Sequence, residues 1–347
     1  MFRLLVAAMA CASFLSAADL EDHVRKSVSV SSANHLVLNA DAGSIRVEPG
    51  AVDRVEVDVW LHGDPPSRSE FDRMRRDFTL DVSQQGSDIR VIGAFHKGWV
   101  PMLAVFPFFG GHQICHDGRC LEYASWLREL EYHVTVPEKF NADVDTWSGP
   151  VSVRDLHGEV RAHTSGGALD FEHIGGPVNG RTSGGPITLV GGKGMATVHT
   201  SGGPIHIKEV AGDVDAFTSG GPISIEGNVG RVRARTSGGS ISIERASGSI
   251  DASTSGGPVS ASLIGQPKED CRLTTSGGSI DVRLSKSAHV DLDASTSGGH
   301  VWTDFAVQSN AASDDDRHSR ELHGPVNGGG PLLYLHTSGG GISIRAD

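Results

Sequence analysis

The four-residue word Thr-Ser-Gly-Gly occurs nine times, at Thr164, Thr182, Thr200, Thr218, Thr236, Thr254, Thr275, Thr296 and Thr337, and the first six starts are each 18 residues apart. A weaker copy, Thr-Trp-Ser-Gly-Pro, begins one period earlier at Thr146, while the last three steps lengthen to 21, 21 and 41 residues. A unit this short cannot bury an apolar face alone, so successive units must stack on one another, as the coils of a solenoid do.

Within each unit the apolar residues alternate, which is the pattern of short strands with one face inward. Four and two residues before each Thr stand pairs such as Val160/Ala162, Val214/Ala216 and Ile250/Ala252; five and seven residues after it stand Ile187/Leu189, Ile205/Ile207 and Ile241/Ile243. Each coil is therefore expected to carry two strands that pair in parallel with their counterparts in the next coil. A buried Ile or Val contributes roughly 1.5–3 kcal/mol, so four inward positions per coil build a thin continuous core. Gly-Gly is expected to supply positive φ at a tight corner. Pro186, Pro204, Pro222 and Pro258 follow it where a strand starts and a missing N–H matters least. The repeated Thr has the parity of the inward residues, so its methyl is expected to point in and its hydroxyl to bond a neighbouring corner. Cys271 falls on the same inward parity and reads as a small buried hydrophobe.

The fold class expected is all-β, a parallel β-solenoid of about ten coils of 18–21 residues over 134–347, with an N-terminal strand and helix capping region over 19–96. Inside that region Pro65-Pro66 precedes a short helix, Ser67 to Asp77, that places Phe71, Met74 and Phe78 on one face. Residues 97–133 read as an insertion, with Trp99, Phe106, Phe108 and Phe109 as a candidate docking loop or a lid over the cap. In the same insertion Cys115 and Cys120 are a candidate disulfide in an oxidising compartment. The spacing of His112, Cys115, His116 and Cys120 matches no zinc pattern, and no metal or other cofactor is expected. The acidic stretch Asp314 to Asp316 reads as solvated loop.

Residues 1–18 carry Arg3, an apolar run from Leu4 to Leu15 and small residues at Ser16 and Ala18, the pattern of a secretory signal cleaved before Asp19. The expected location is the periplasm or the cell surface. A net charge of −12 argues against nucleic acid or an anionic lipid surface as partner.

Four stretches also resemble a known family: the opening Ala42 to Pro49, the passage VTVPEKFNADVDTWSGPVSV into the repeats, the repeated TSGG-x-I-x-I, and the ending NGGGPLLYLHTSGGGISI. Together they make the chain similar, from about Asn34 to Asp347, to the bacterial "putative adhesin" family of domain of unknown function DUF4097. That resemblance implies a surface-exposed parallel β-solenoid and brings no catalytic residues.

The function expected is non-catalytic binding or adhesion at the envelope, with a polysaccharide or other surface polymer held on outward columns. Candidate contacts on those columns are His199, Phe217, Arg235, His206 and Trp302. Two alternatives have different signatures. A scaffold docking an envelope protein would depend on the aromatic loop. A polysaccharide-acting enzyme would need clustered carboxylates, whereas Asp170, Asp215, Asp251, Asp281 and Asp293 are scattered between columns. Calcium-binding rolls place Asp in the glycine corner, where TSGG has none. An ice-binding face would need its Thr outward.

Overall fold

The computed structural model describes residues 20–30, 33–96, 126–308 and 320–347, together with the backbone of three short strands at 99–101, 115–116 and 119–121. Two 14-stranded sheets run its length. Strands that lead into each repeated Thr form sheet B, strands that follow each Ser-Gly-Gly corner form sheet A, and the apolar columns of both meet between them. Among the described residues no helix is long and apolar enough to cross a membrane.

The Thr side chain stitches the coils together. Every repeated Thr is buried. Thr200 Oγ1 donates to the carbonyl of Gly185 in the preceding coil at 2.9 Å and accepts from the N–H of Gly203 in its own corner at 3.2 Å. Thr182, Thr218, Thr236 and Thr254 repeat both bonds. A methyl on the core side and a hydroxyl satisfied twice explain why Thr, and neither Val nor Ser, occupies this place.

The glycines act differently from the sequence expectation. Among the described corners of this type only Gly149, in the weak copy, and Gly43, at the β2–β3 level before it, have a positive φ. What fixes the second Gly of the word is close approach: a Cβ on Gly185, Gly203, Gly221 or Gly239 would lie 2.0–2.1 Å from a carbonyl oxygen of the coil before. The first Gly is open by comparison, with nothing nearer than 3.5 Å at Gly184, Gly202, Gly220 and Gly238. Nine residues further on a second corner repeats the constraint, since a Cβ on Gly176, Gly194, Gly212 or Gly230 would meet the previous coil's Gly at 2.3–2.5 Å. Left-handed backbone sits at this second corner, in the stacked series Asp155, His173, Gly191, Glu209, Gly227 and Arg245.

Size is balanced across coils as well. Gly180 interrupts the Val/Ala column, and the fully buried Phe171 ring fills its space, 2.8 Å from where a Cβ would be. Free Cys271 is buried on the inward column, and burial pushes its thiol up.

At the N-terminus the strands are β1 (Leu20–Ser29), β2 (His35–Ala40), β3 (Ser44–Pro49), β4 (Arg54–Gly63), helix α1 (Arg68–Asp77), β5 (Phe78–Gln85) and β6 (Asp88–Phe95). Next come β7 (Trp99–Pro101), β8 (Cys115–His116), β9 (Arg119–Leu121) and β10 (Leu127–Val136). Strands β2 and β3 pair in parallel with the Thr146 coil, and β6 and β10 pair in parallel with β2 and β3 on the other side. The parallel stack therefore takes in two levels beyond the ten expected, with β2, β3 and β6 drawn from the expected cap and β10 mostly from the expected insertion, for twelve in all and a length of about 50–55 Å.

Antiparallel β5 closes sheet B, and β4 and β1 close sheet A. Helix α1 is capped by Ser67, whose hydroxyl accepts from the Glu70 N–H, and it buries Phe71 and Met74. The other end repeats the device: the last coil, Leu332–Thr337 and Ile342–Ala346, lies between the Thr275 and Thr296 coils, and Glu321–Val326 then pairs antiparallel on the outermost strand.

Candidate functional site

Alternation fixes which side chains a coil can offer. In sheet B the residues one and three before each Thr face outward, and parallel pairing in register stacks them into two columns. The first runs Asp145, His163, Arg181, His199, Phe217, Arg235; the second runs Asp143, Arg161, Asn179, Thr197, Asp215, Arg233. On sheet A the corresponding outward column is mostly short: Ser152, Asp170, Thr188, His206, Ser224, Ser242, Ser260. Ser242 and Ser260 lie 3.2 Å apart through their hydroxyls. A second outward column on sheet A, Arg154, Glu172, Val190, Lys208, Glu226 and Glu244, is charged and pairs within itself through Arg154–Glu172 and Lys208–Glu226, so both faces of the rod carry charge.

Most charges on the sheet B face are neutralised within it. His163 Nδ1 lies 3.0 Å from Asp145 Oδ2, Arg233 and Arg235 share Asp251 at 3.4 and 3.1 Å, and Arg161 pairs with Glu159. Arg272 lies over the Tyr334 ring at 4.3 Å. At the corner beyond, Arg231 bonds Asp213 through side chain and backbone and holds that carboxyl below the usual range.

In the middle the pattern changes. The His199 and Phe217 rings stack at 4.7 Å between centroids and form a platform. Beside it opens a shallow groove of about 460 Å³ lined by Arg181, Ser183, Thr197, Asp215 and the two rings. Arg181 is exposed, and neither it nor Asp215 has an ion-pair partner among the described residues. The groove thus presents a donor fork, an aromatic platform and a carboxylate acceptor, with hydroxyls at its rim.

The five candidate contacts taken from the sequence fall on opposite faces. His199, Phe217 and Arg235 are neighbours on sheet B. His206 lies on sheet A, and Trp302, 45% exposed, lies on sheet A near the far end of the rod. The side chains of Trp99, Cys115 and Cys120, and the whole of Phe106, Phe108, Phe109 and Asp314 to Asp316, lie outside the described residues. The backbone register does set Cys115 directly opposite Cys120 across the β8–β9 pair, at a Cα spacing a disulfide can span.

The second outward column of sheet B, and with it Asp215 and Thr197, was missed by the sequence reading although the period of two signals it: residues one and three before Thr must share a face. A cluster on β1 and β4 was also missed. Arg25 clamps Asp58 with Nε at 2.6 Å and Nη2 at 3.1 Å, His23 bonds the same carboxylate at 2.7 Å, and its ring stacks on Trp60. Burial pushes the Asp58 carboxyl up, but the bonds from Arg25 and His23 outweigh it and hold it below the usual range. Only cross-strand register, which the sequence does not show, brings these residues together. Among the described residues no three His, Cys, Asp or Glu side chains gather closely enough to hold a metal ion.

Comparison with known proteins gives a family and a set of solved structures. The family model described as Toastrack DUF4097 matches residues 33–344. No curated protein matches. Among solved structures, a "putative adhesin" from Bacteroides fragilis aligns over 94% of this chain and 97% of its own, with 10% identity and a TM-score of 0.36. Another from Parabacteroides merdae aligns over 94% and 96%, with 11% identity and a TM-score of 0.35. A "putative lipid binding protein" from Parabacteroides distasonis aligns over 94% and 97%, with 12% identity and a TM-score of 0.30.

Proposed function

The chain belongs to the Toastrack DUF4097 family, and on that premise we propose that it is an exported protein of the bacterial envelope that binds an extended surface polymer, such as a polysaccharide, along the outer face of sheet B without turning it over. The observation that carries this reading is the groove in the middle of sheet B, where a stacked pair of rings lies beside an arginine and a carboxylate that have no ion-pair partner among the described residues. The fold demands apolar residues inside and makes no such demand outside, yet the middle of sheet B sets two stacked rings, Arg181 and Asp215 around an open groove. Parallel stacking repeats each outward position about every 4.8 Å, a spacing suited to a ligand that is itself a linear repeat. Stacked rings offer an apolar surface for the C–H face of a sugar, and Arg181 and Asp215 offer a donor and an acceptor for its polar edge.

The test is cosedimentation of the chain from Asp19 to Asp347 with peptidoglycan, isolated envelope polysaccharide and whole cells. Saturable binding to one polymer, weakened by Phe217→Ala and unchanged by Ser224→Ala on the opposite face, is expected. Binding to none of them, or binding that responds equally to both substitutions, overturns the assignment to sheet B.

A further inference from the structure

The groove beside the His199–Phe217 platform is asymmetric in charge, and that asymmetry constrains the ligand further. Arginines that the Thr164 to Thr275 coils place on this face are otherwise engaged: Arg161 with Glu159, Arg233 and Arg235 with Asp251, and Arg272 with the Tyr334 ring. Arg181 alone among these has no carboxylate or ring partner among the described residues, and it lines the groove. Asp215 lines it too, two coils further along the rod, at a distance of about 10 Å. His199 lies on the coil between them, and Phe217, stacked on it, stands two residues from Asp215 on the same strand.

An unpaired guanidinium is a planar fork matched to a carboxylate, which it binds through two parallel hydrogen bonds. An unpaired carboxylate two coils away repels a second acid and accepts from hydroxyl or amide N–H groups instead. We propose that this groove is a subsite for an acidic carbohydrate in which a carboxylate-bearing sugar alternates with a neutral one. The acidic sugar's carboxylate lies on Arg181, and the neutral neighbour lays its C–H face on Phe217 and His199 and donates to Asp215. This rests on the reading of sheet B as a polymer-binding face and adds the class of polymer. The protein's overall charge of −12 gives acidic chains no general attraction, so recognition of one comes from this local fork.

Calorimetric titration with an alternating glucuronate–N-acetylglucosamine octasaccharide, and with the same octasaccharide after reduction of its carboxyl groups, tests the subsite. The wild-type chain is expected to bind the acidic form at least ten-fold more tightly, with an affinity that falls as salt is raised. Arg181→Gln is expected to remove that preference while leaving affinity for the reduced form intact, Arg181→Lys to restore part of it, and Phe217→Ala to weaken both forms alike. Equal affinity of the wild-type chain for the two forms overturns the acidic subsite and leaves polymer binding on the face standing. Binding of neither form, with envelope cosedimentation insensitive to Phe217→Ala, overturns the face itself.

Discussion

Two adjacent glycines in one corner should respond in opposite ways to the same substitution. A Cβ on Gly203 would stand 2.0 Å from the Gly185 oxygen and 2.4 Å from the Gly185 carbonyl carbon, both backbone atoms with no side chain to swing aside. Ordinary contact requires the two coils to part locally by about 1 Å or more, which is overpacking of the kind that costs about 1–3 kcal/mol. The same displacement stretches the Thr200 Oγ1 to Gly185 bond of 2.9 Å and the Ile187 N–H to Pro204 bond of 3.0 Å. Leaving buried groups unsatisfied adds about 1–3 kcal/mol, so Gly203→Ala is expected to cost about 2–6 kcal/mol. At Gly202 the nearest atom to a Cβ is 3.7 Å away and the backbone is not left-handed. Gly202→Ala is therefore expected to be neutral or to stabilise by about 0.4–1 kcal/mol, through the unfolded chain. Urea unfolding gives the global effect, and hydrogen exchange at the amides of Ile187 and Ile205 locates it, as an array of near-neighbour units requires. Equal midpoints for the two variants, or unchanged exchange at both amides in Gly203→Ala, would refute the argument from close approach.

Other expectations follow from the same geometry. Thr218→Val keeps the inward methyl but strands the Gly203 carbonyl and the Gly221 N–H, so a loss of about 1–3 kcal/mol is expected in urea unfolding, with Thr218→Ser intermediate. Asp58 is held below its ordinary value, so its contribution is complete above the unfolded carboxylate pKa of about 4 and is lost as pH falls through the lower folded value. Wild type should accordingly exceed Asp58→Asn in stability at pH 7, with the gap closing only below about pH 4; a gap that closes between pH 6 and 7 counts against the clamp. With Cys115 and Cys120 both changed to Ser, Cys271 should react with a thiol reagent only at the rate of local opening, since it is buried and its thiol is pushed up; prompt reaction of the native chain contradicts that placement. Deleting residues 332–347 should remove protection from the Thr296 coil while the Thr164 to Thr254 coils keep theirs, because the deleted strands are what join the Thr296 coil to the stack.

The repeat was legible because each of its constraints recurs in register. Thr must satisfy two backbone groups, the second Gly must admit a carbonyl, and Ile must fill the core, so all three recur nearly unchanged from Thr164 to Thr254. The β2–β3 level escaped because its corner, Ala40-Asp41-Ala42-Gly43, keeps only the element the next coil needs: Thr146 Oγ1 still donates to the Gly43 oxygen, and a Cβ on Gly149 would still lie 2.2 Å from it. The other constraints relax where a cap covers the coil, and the word disappears with them. Gly203 was recognised for the wrong reason, since a sequence shows that Gly is present and not whether φ or a neighbour's carbonyl requires it. In the candidate site, His199 and Phe217 could be aligned by counting. That Arg181 and Asp215 are left unpaired could not, because whether an arginine finds a carboxylate depends on rotamers and on residues in other columns.

Both ends of the rod share a device with a functional consequence. At each end one coil is inserted between two others out of chain order: β2–β3 between β6–β10 and the Thr146 coil, and the last coil between the Thr275 and Thr296 coils. In a simple array the outermost coil is held on one side only and is free to fray. Here the outermost coil is tied by a covalent excursion past its neighbour, and antiparallel strands then cover β6 and β10 at one end and the outermost sheet B strand at the other. At the far end of sheet A the edge strand, Val301–Thr303, is only three residues long. Open sheet ends would invite pairing with other chains, and these are blunted by antiparallel cover and by shortness. What a partner then meets over most of the molecule is a side of the rod, where the register of the coils fixes the spacing of every outward residue. Of the two sides, sheet A offers a column of mostly short side chains beside a column of paired charges, and sheet B offers the His199–Phe217 pair and the unpaired Arg181.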